Sequence, residues 1–168
     1  MAEQYKINEF ISYSTTGVCR IDDIKEMELA GRTGNFYILK PLSSQNSTVF
    51  VPMDNPVLTA KMRRVLTKEE IDKQIDVINQ NKMCWINERK DRIARIKEIL
   101  AGGETADLLL LISCMYIKRN ELSATNKDLS SFDDLLLKRA ENLIEDEFSF
   151  VLGIEKNEVS GYIESRIN

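Results

Sequence analysis

Between Thr48 and Ile71 the chain runs TVFVPMDNPVLTAKMRRVLTKEEI, and its character changes inside that stretch. Thr48-Val49-Phe50-Val51 is a short run of β-branched and aromatic residues, the composition of a strand. Pro52 and Pro56 follow, and because proline cannot donate to a ladder the sheet is expected to stop there. Thr67-Lys68-Glu69-Glu70 is a capping box. The threonine hydroxyl and the glutamate carboxylate each satisfy a backbone N–H that a helix start leaves unpaired. Behind it Ile71, Ile75 and Ile78 recur at helical spacing. The stretch therefore divides the chain into strands up to residue 66 and helices from residue 67.

Working outward toward the N-terminus, Tyr5 to Tyr13 mixes Ile7, Phe10, Ile11 and Tyr13 with polar residues. The turn Ser14-Thr15-Thr16-Gly17 leads into Val18 to Leu29, and Ala30-Gly31-Arg32-Thr33-Gly34 leads into Phe36-Tyr37-Ile38-Leu39. Four or five short strands bounded by Gly, Ser and Asn clusters predict a small, strongly bent β-barrel of the SH3 or Tudor kind over residues 1–66. Toward the C-terminus, a second helix is expected to start near Trp85, run through Ile86, Ile93, Ile96 and Leu100, and stop at Gly102-Gly103. A third, Thr105 to Arg119, is apolar almost all round and reads as the buried central helix. Asn120 to Ser130 reads as a polar connection. A fourth helix opens at Ser131-Phe132-Asp133-Asp134 and ends at Gly153, and a short tail helix spans Glu155 to Ile163. The fold class is α+β: a small N-terminal β-barrel, then a bundle of four to five α-helices over residues 67–168.

Composition narrows the chemistry. The 168 residues include no histidine, which removes Ser-His-Asp and Cys-His catalysis and His-ligated metals. Cys19, Cys84 and Cys114 match no metal or redox spacing and read as reduced thiols of a cytoplasmic protein. The opening Met1-Ala2-Glu3-Gln4-Tyr5-Lys6 lacks the apolar region of a secretion signal. The most apolar run, Leu108 to Ile117, is half of the roughly 20 residues a membrane span needs. No phosphate-cradling glycine loop follows a strand, and Glu145-Asp146-Glu147 are neighbours on a helix that point to different faces. The expectation is a protein that is not an enzyme, with no catalytic residues, no metal and no cofactor.

A net charge of −4 conceals an uneven distribution. Residues 82–97 carry Lys82, Arg89, Lys90, Arg92, Arg95 and Lys97 against Glu88 and Asp91. Such a spot on an acidic body fits one limited contact with a polyanion rather than a coat of nucleic acid, which needs an extended basic face. Trp85, the sole tryptophan, stands at its edge. If residues 82–92 are helical, Lys82, Trp85, Arg89 and Arg92 share one face. Two readings stay open: an indole packed at the edge of the bundle core, or an exposed ring that wedges beside a base step while the cations neutralise phosphates. The sheet offers a separate possibility, since an open edge accepts a partner strand.

Taken in order, these pieces resemble the CarD/CdnL family of bacterial transcription regulators. The resemblance runs through Phe10-Ile11-Ser12-Tyr13, Gly17-Val18, Ile21-Asp22-Asp23-Ile24, Phe36-Tyr37-Ile38-Leu39, Val49-Phe50-Val51-Pro52, Met53-Asp54-Asn55 and Met62-Arg63-Arg64-Val65. It resumes at Trp85 with Arg89, at Ile96 to Gly103, and at Leu136 to Glu147. It implies a Tudor-like module that pairs a strand with the β subunit of RNA polymerase, with Met27, Val49, Phe50 and Val51 at the contact. It also implies a helical domain that meets promoter DNA in the minor groove at the upstream edge of the bubble, through Trp85, Arg89, Lys90 and Arg92. The same module occurs in the transcription-repair coupling factor, a large helicase with Walker motifs that this chain lacks. Ser14-Thr15-Thr16 replaces a proline and histidine common in relatives, and Met27 and Phe50 stand where some carry arginines. Those departures shift the polymerase contact toward backbone pairing and apolar packing. The alternative reading is a protein-interaction adaptor that binds a peptide or strand through the barrel and touches no DNA.

Overall fold

The computed structural model describes residues 4–167, so Met1 to Glu3 of the opening stretch lie outside the described residues. The chain divides into two units, Met1–Val65 and Leu66–Asn168. The architecture is α+β, with five antiparallel strands in the first unit and six α-helices along the chain among the described residues; five lie in the second unit, where four to five are expected, and the sixth is a four-residue helix in the first unit. No helix among the described residues is long and apolar enough to cross a membrane.

In the first unit β1 (Phe10–Tyr13), a single 3-10 turn (Ser14–Thr16), β2 (Gly17–Leu29), β3 (Arg32–Pro41) and β4 (Val49–Pro52) follow in order. A four-residue helix, α1 (Pro56–Thr59), and β5 (Met62–Arg64) complete it. The sheet order is β4-β3-β2-β1-β5. No pairing joins β4 to β5, so the expected barrel is seen as an open sheet with an edge at each end. Pro52 ends its strand but not the sheet. After α1, which starts at Pro56 and is capped by the Asn55 side chain, β5 returns to pair Met62 with Tyr13 and Arg64 with Ile11.

Two backbone devices set the register of the long β2–β3 hairpin. Its two-residue loop places Ala30 at φ 53° and Gly31 at φ 75°. Positive φ at both central residues is the type I′ geometry that matches strand twist. Further down, the pairing shifts between Ile21 and Asp23, a bulge at Asp22. In a regular strand Ile21 and Ile24 would face opposite sides, and the extra residue turns both inward. They join Ile11, Cys19, Tyr37, Leu39, Val51 and Met62 in the core of this unit. Tyr5 closes that core from one side, its ring edge-on to Tyr37 and its hydroxyl donating to the Met62 carbonyl at 3.1 Å.

The second unit holds α2 (Lys68–Gln80), α3 (Arg89–Gly102), α4 (Thr105–Ser123), α5 (Ser131–Leu152) and α6 (Lys156–Glu164). The Thr67 capping box forms as expected, with Glu70 N–H donating to Thr67 Oγ1 at 3.2 Å and Thr67 N–H to Glu70 Oε2 at 2.8 Å. Gly103 and Gly153 end α3 and α5 in the left-handed region that favours glycine. α4 is central, packing on α2, α3 and α5, and runs four residues past Arg119 into the stretch read as a connection. Ile71, Ile75, Leu109, Met115, Leu136 and Phe148 are sealed inside. Buried Glu147 accepts the Leu66 N–H at 2.9 Å. Asp72 accepts from the Tyr162 hydroxyl at 2.6 Å and pairs with Arg166 Nε at 3.2 Å, fastening α6 to α2.

Candidate functional site

The segment from Asn81 to Glu88 is not helical, which corrects the expectation of a helix starting near Trp85. α3 begins at Arg89, where Glu88 is the N-cap and its carboxylate accepts the Lys90 N–H. The reason lies in Arg92. Its Nη1 donates to the carbonyls of Ile86 at 3.1 Å and Asn87 at 3.2 Å, oxygens that a longer helix would need for its own ladder. Lys82, Trp85, Arg89 and Arg92 therefore do not form one helical face.

Arg92 is buried, 9% exposed, and its other prongs go to Asp133 at the start of α5. Nε reaches Oδ1 at 3.1 Å and Nη2 reaches Oδ2 at 3.0 Å. Ser130 donates to the same carboxylate at 2.7 Å. Burial alone would raise the Asp133 pKa, but the hydrogen bonds from Arg92 and Ser130 and the Arg92 charge outweigh it and hold the carboxyl below its ordinary value. Four of the five guanidinium N–H donors are thus spent inside the protein. The phosphate-contacting role that the resemblance assigns to Arg92 does not suit this placement, and the residue instead supports its neighbour.

That neighbour is Trp85. The Arg92 Cζ lies 4.6 Å from the centre of the indole, and Lys118 Nζ lies 5.6 Å from it. A cation over an aromatic face is attracted by the ring quadrupole, more so where water is excluded. The ring is half-buried and packs against the apolar core of the helical unit. Its N–H has no hydrogen-bond partner among the described residues and is not buried. The reading of an indole packed at the edge of the bundle core fits its back, while its other edge stays accessible. Lys118 was not singled out by sequence, because it is 33 positions from Trp85 on a helix that reads as purely apolar.

Arg89 and Lys90 are exposed in the first turn of α3, and neither forms an ion pair among the described residues. Cations at a helix N-terminus oppose the macrodipole, so local stability does not account for them. With an anion bound, the same charges and the free N–H groups of that turn would act together.

The residues expected at the polymerase contact sit in the first unit. β4 is an edge strand: among the described residues it pairs with β3 and with no other strand. Val51 is wholly buried in the sheet core and Val49 packs against it, so their side chains face away from any partner and only their backbone is at the edge. Phe50 faces the other way and is 37% exposed. Met27 pairs with Gly34 beyond the end of β4 and is half-exposed. Counting along the register from Ile38, which pairs with Phe50, places Met27 and Phe50 on the same sheet face. Among the described residues no group of three or more Cys, Asp or Glu is placed to hold a metal ion.

Two comparisons bear on these surfaces. No curated protein matches the chain. Residues 5–66, which contain the whole sheet, match the family model described as CarD-like/TRCF RID domain. The sheet unit is thus similar to CarD-like/TRCF RID domains, a domain family that interacts with RNA polymerase.

Proposed function

We propose that the chain is a non-enzymatic, cytoplasmic regulator of bacterial transcription initiation that bridges RNA polymerase and promoter DNA. In this reading the open edge of β4 takes a strand of the polymerase β subunit, with Phe50 and Met27 packing on the partner. The accessible edge of Trp85 meets the minor groove at the upstream edge of the bubble, and Arg89 and Lys90 neutralise flanking phosphates. The observation that carries the DNA half is the mounted indole: a ring backed by a buried Arg92–Asp133 pair, followed at the start of α3 by two exposed cations, Arg89 and Lys90, that form no ion pair among the described residues. A ring held rigidly loses little entropy when it inserts beside a base step.

The mechanism is a shift of population. A wedge that favours the open over the closed complex by one or two kcal/mol changes their ratio about 5- to 30-fold. Attachment to polymerase supplies effective concentration, so a weak, sequence-independent contact is enough even for an acidic protein. The experiment measures open-complex lifetime on one promoter with wild-type protein and with the Arg89→Glu/Lys90→Glu variant. The expected result is a lifetime extended by wild type and not by the variant, with polymerase pulldown equal for both. An equal extension by both would remove DNA from the reading. It would favour the adaptor alternative, in which the β4 edge alone binds a partner and Trp85 only packs on the core.

A further inference from the structure

Away from Trp85, the helical unit has a second feature that the DNA reading does not use. Residues of α2, α4, α5 and α6 line an open cleft of about 180 Å³. Its floor is apolar, with Ile78, Leu109, Ile112, Ile144, Val159 and Ile163. Its wall carries Glu141, Glu145 and Glu164, and no lysine or arginine lines it.

Glu141 and Glu145 lie one helical turn apart on α5, where like charges repel. The Tyr116 hydroxyl donates to Glu141. Glu145 has no hydrogen bond or ion pair among the described residues; the nearby Lys156 is engaged by Asp146. Burial, and then the charge of Glu141, raise the Glu145 carboxyl above its ordinary value. Both carboxylates are half-buried against apolar side chains. The apolar surface also continues past the cleft mouth, since Ile117 is 52% and Ile167 38% exposed.

We propose that this cleft is a docking site for a basic amphipathic helix of a partner protein. Apolar side chains of that helix enter between α4 and α6, and its lysines or arginines reach Glu141 and Glu145. Charge selects the occupant. An acidic or neutral helix would leave two adjacent carboxylates desolvated without a counter-charge, whereas a basic one relieves their repulsion. Extent selects a helix over a small amine, because the exposed isoleucines at the rim offer apolar contact outside the cavity itself. Anchors at helical spacing on one face suit such a groove.

The test uses the full chain and a fluorescein-labelled 18-residue peptide of leucine and lysine at amphipathic helical spacing, followed by anisotropy. Saturable binding is expected, weakened about tenfold or more by Glu141→Gln/Glu145→Gln, as befits the loss of two charge-assisted contacts. Glutamine keeps an acceptor for Tyr116, so the fold is preserved. Ile117→Ser, at an exposed position, is expected to weaken binding as well. Glu26→Gln/Glu28→Gln removes the same charge from exposed positions in the sheet unit and is expected to change nothing. Equal weakening by both double variants would mean bulk attraction to an acidic protein and would overturn the proposal. So would equal binding of a leucine–glutamate peptide, or displacement of the lysine peptide by phenethylamine at comparable concentration. None of these outcomes depends on the polymerase or DNA contacts.

Discussion

Arg92 and Asp133 are 41 positions apart and form a two-pronged ion pair, Nε–Oδ1 at 3.1 Å and Nη2–Oδ2 at 3.0 Å, whose guanidinium also carries Trp85 on its face. One buried pair thus joins the start of α3 to the start of α5 and sets the shelf for the indole. Breaking such a pair by removing one partner leaves a charge stranded, at a cost of about 3–5 kcal/mol. Asp133→Ala is therefore expected to lower stability by that order in denaturant unfolding, and Arg92→Leu/Asp133→Leu to recover part of it.

The same pair gives a pH dependence of defined sign. The folded-state pKa of Asp133 is lowered, so its contribution is fully present above the unfolded value near 3.8 and is lost as pH falls through the lower folded value. Melting temperature measured from neutral pH down into the acid range should fall more steeply in wild type than in Asp133→Asn. Parallel curves for the two would show that Asp133 does not drive the acid loss.

Because Trp85 is half-buried with one edge free, Trp85→Ala should cost about 1–2 kcal/mol, between the surface and core extremes. Open-complex lifetime should drop while polymerase pulldown is unchanged. The chain has a single tryptophan, so intrinsic fluorescence titrated with duplex DNA reports on this ring alone. Its quenching should weaken steeply with salt and be indifferent to sequence.

Neighbouring residues on β4 should behave oppositely. Phe50→Asp charges an exposed side chain and is expected to reduce polymerase pulldown with a near-normal melting temperature. Val51→Asp buries a carboxylate in the sheet core, where no partner awaits it, and should unfold the first unit. Undiminished pulldown by Phe50→Asp would place the contact elsewhere.

Ala30 occupies a left-handed position that costs an alanine about 1–2 kcal/mol. Ala30→Asn, which makes the Asn-Gly pair favoured in type I′ turns, should raise stability by up to about 1 kcal/mol in thermal unfolding. Cysteine labelling checks a further difference in exposure. Cys84 is exposed while Cys19 and Cys114 are buried, and burial raises the Cys114 thiol, so iodoacetamide should modify Cys84 well before the other two.

The sequence by itself determined whatever rests on neighbours along the chain. The Thr67–Glu70 capping box, the glycine stops at Gly103 and Gly153, the α5 start at Ser131 and the division near residue 66 are all local signals, and they were legible. So was the strand run Val49–Val51. Tertiary structure decided what depends on partners far away. β5 is three residues with no alternation, and it is a strand only because β1 offers it an edge. The α3 start slipped past Trp85 because Arg92, held by Asp133, takes the carbonyls the helix would have used. Charge alone could not separate Arg92 from Arg89 and Lys90. A guanidinium reads the same in sequence whether it faces water or a carboxylate, and only the packing of α3 against α5 supplies the carboxylate.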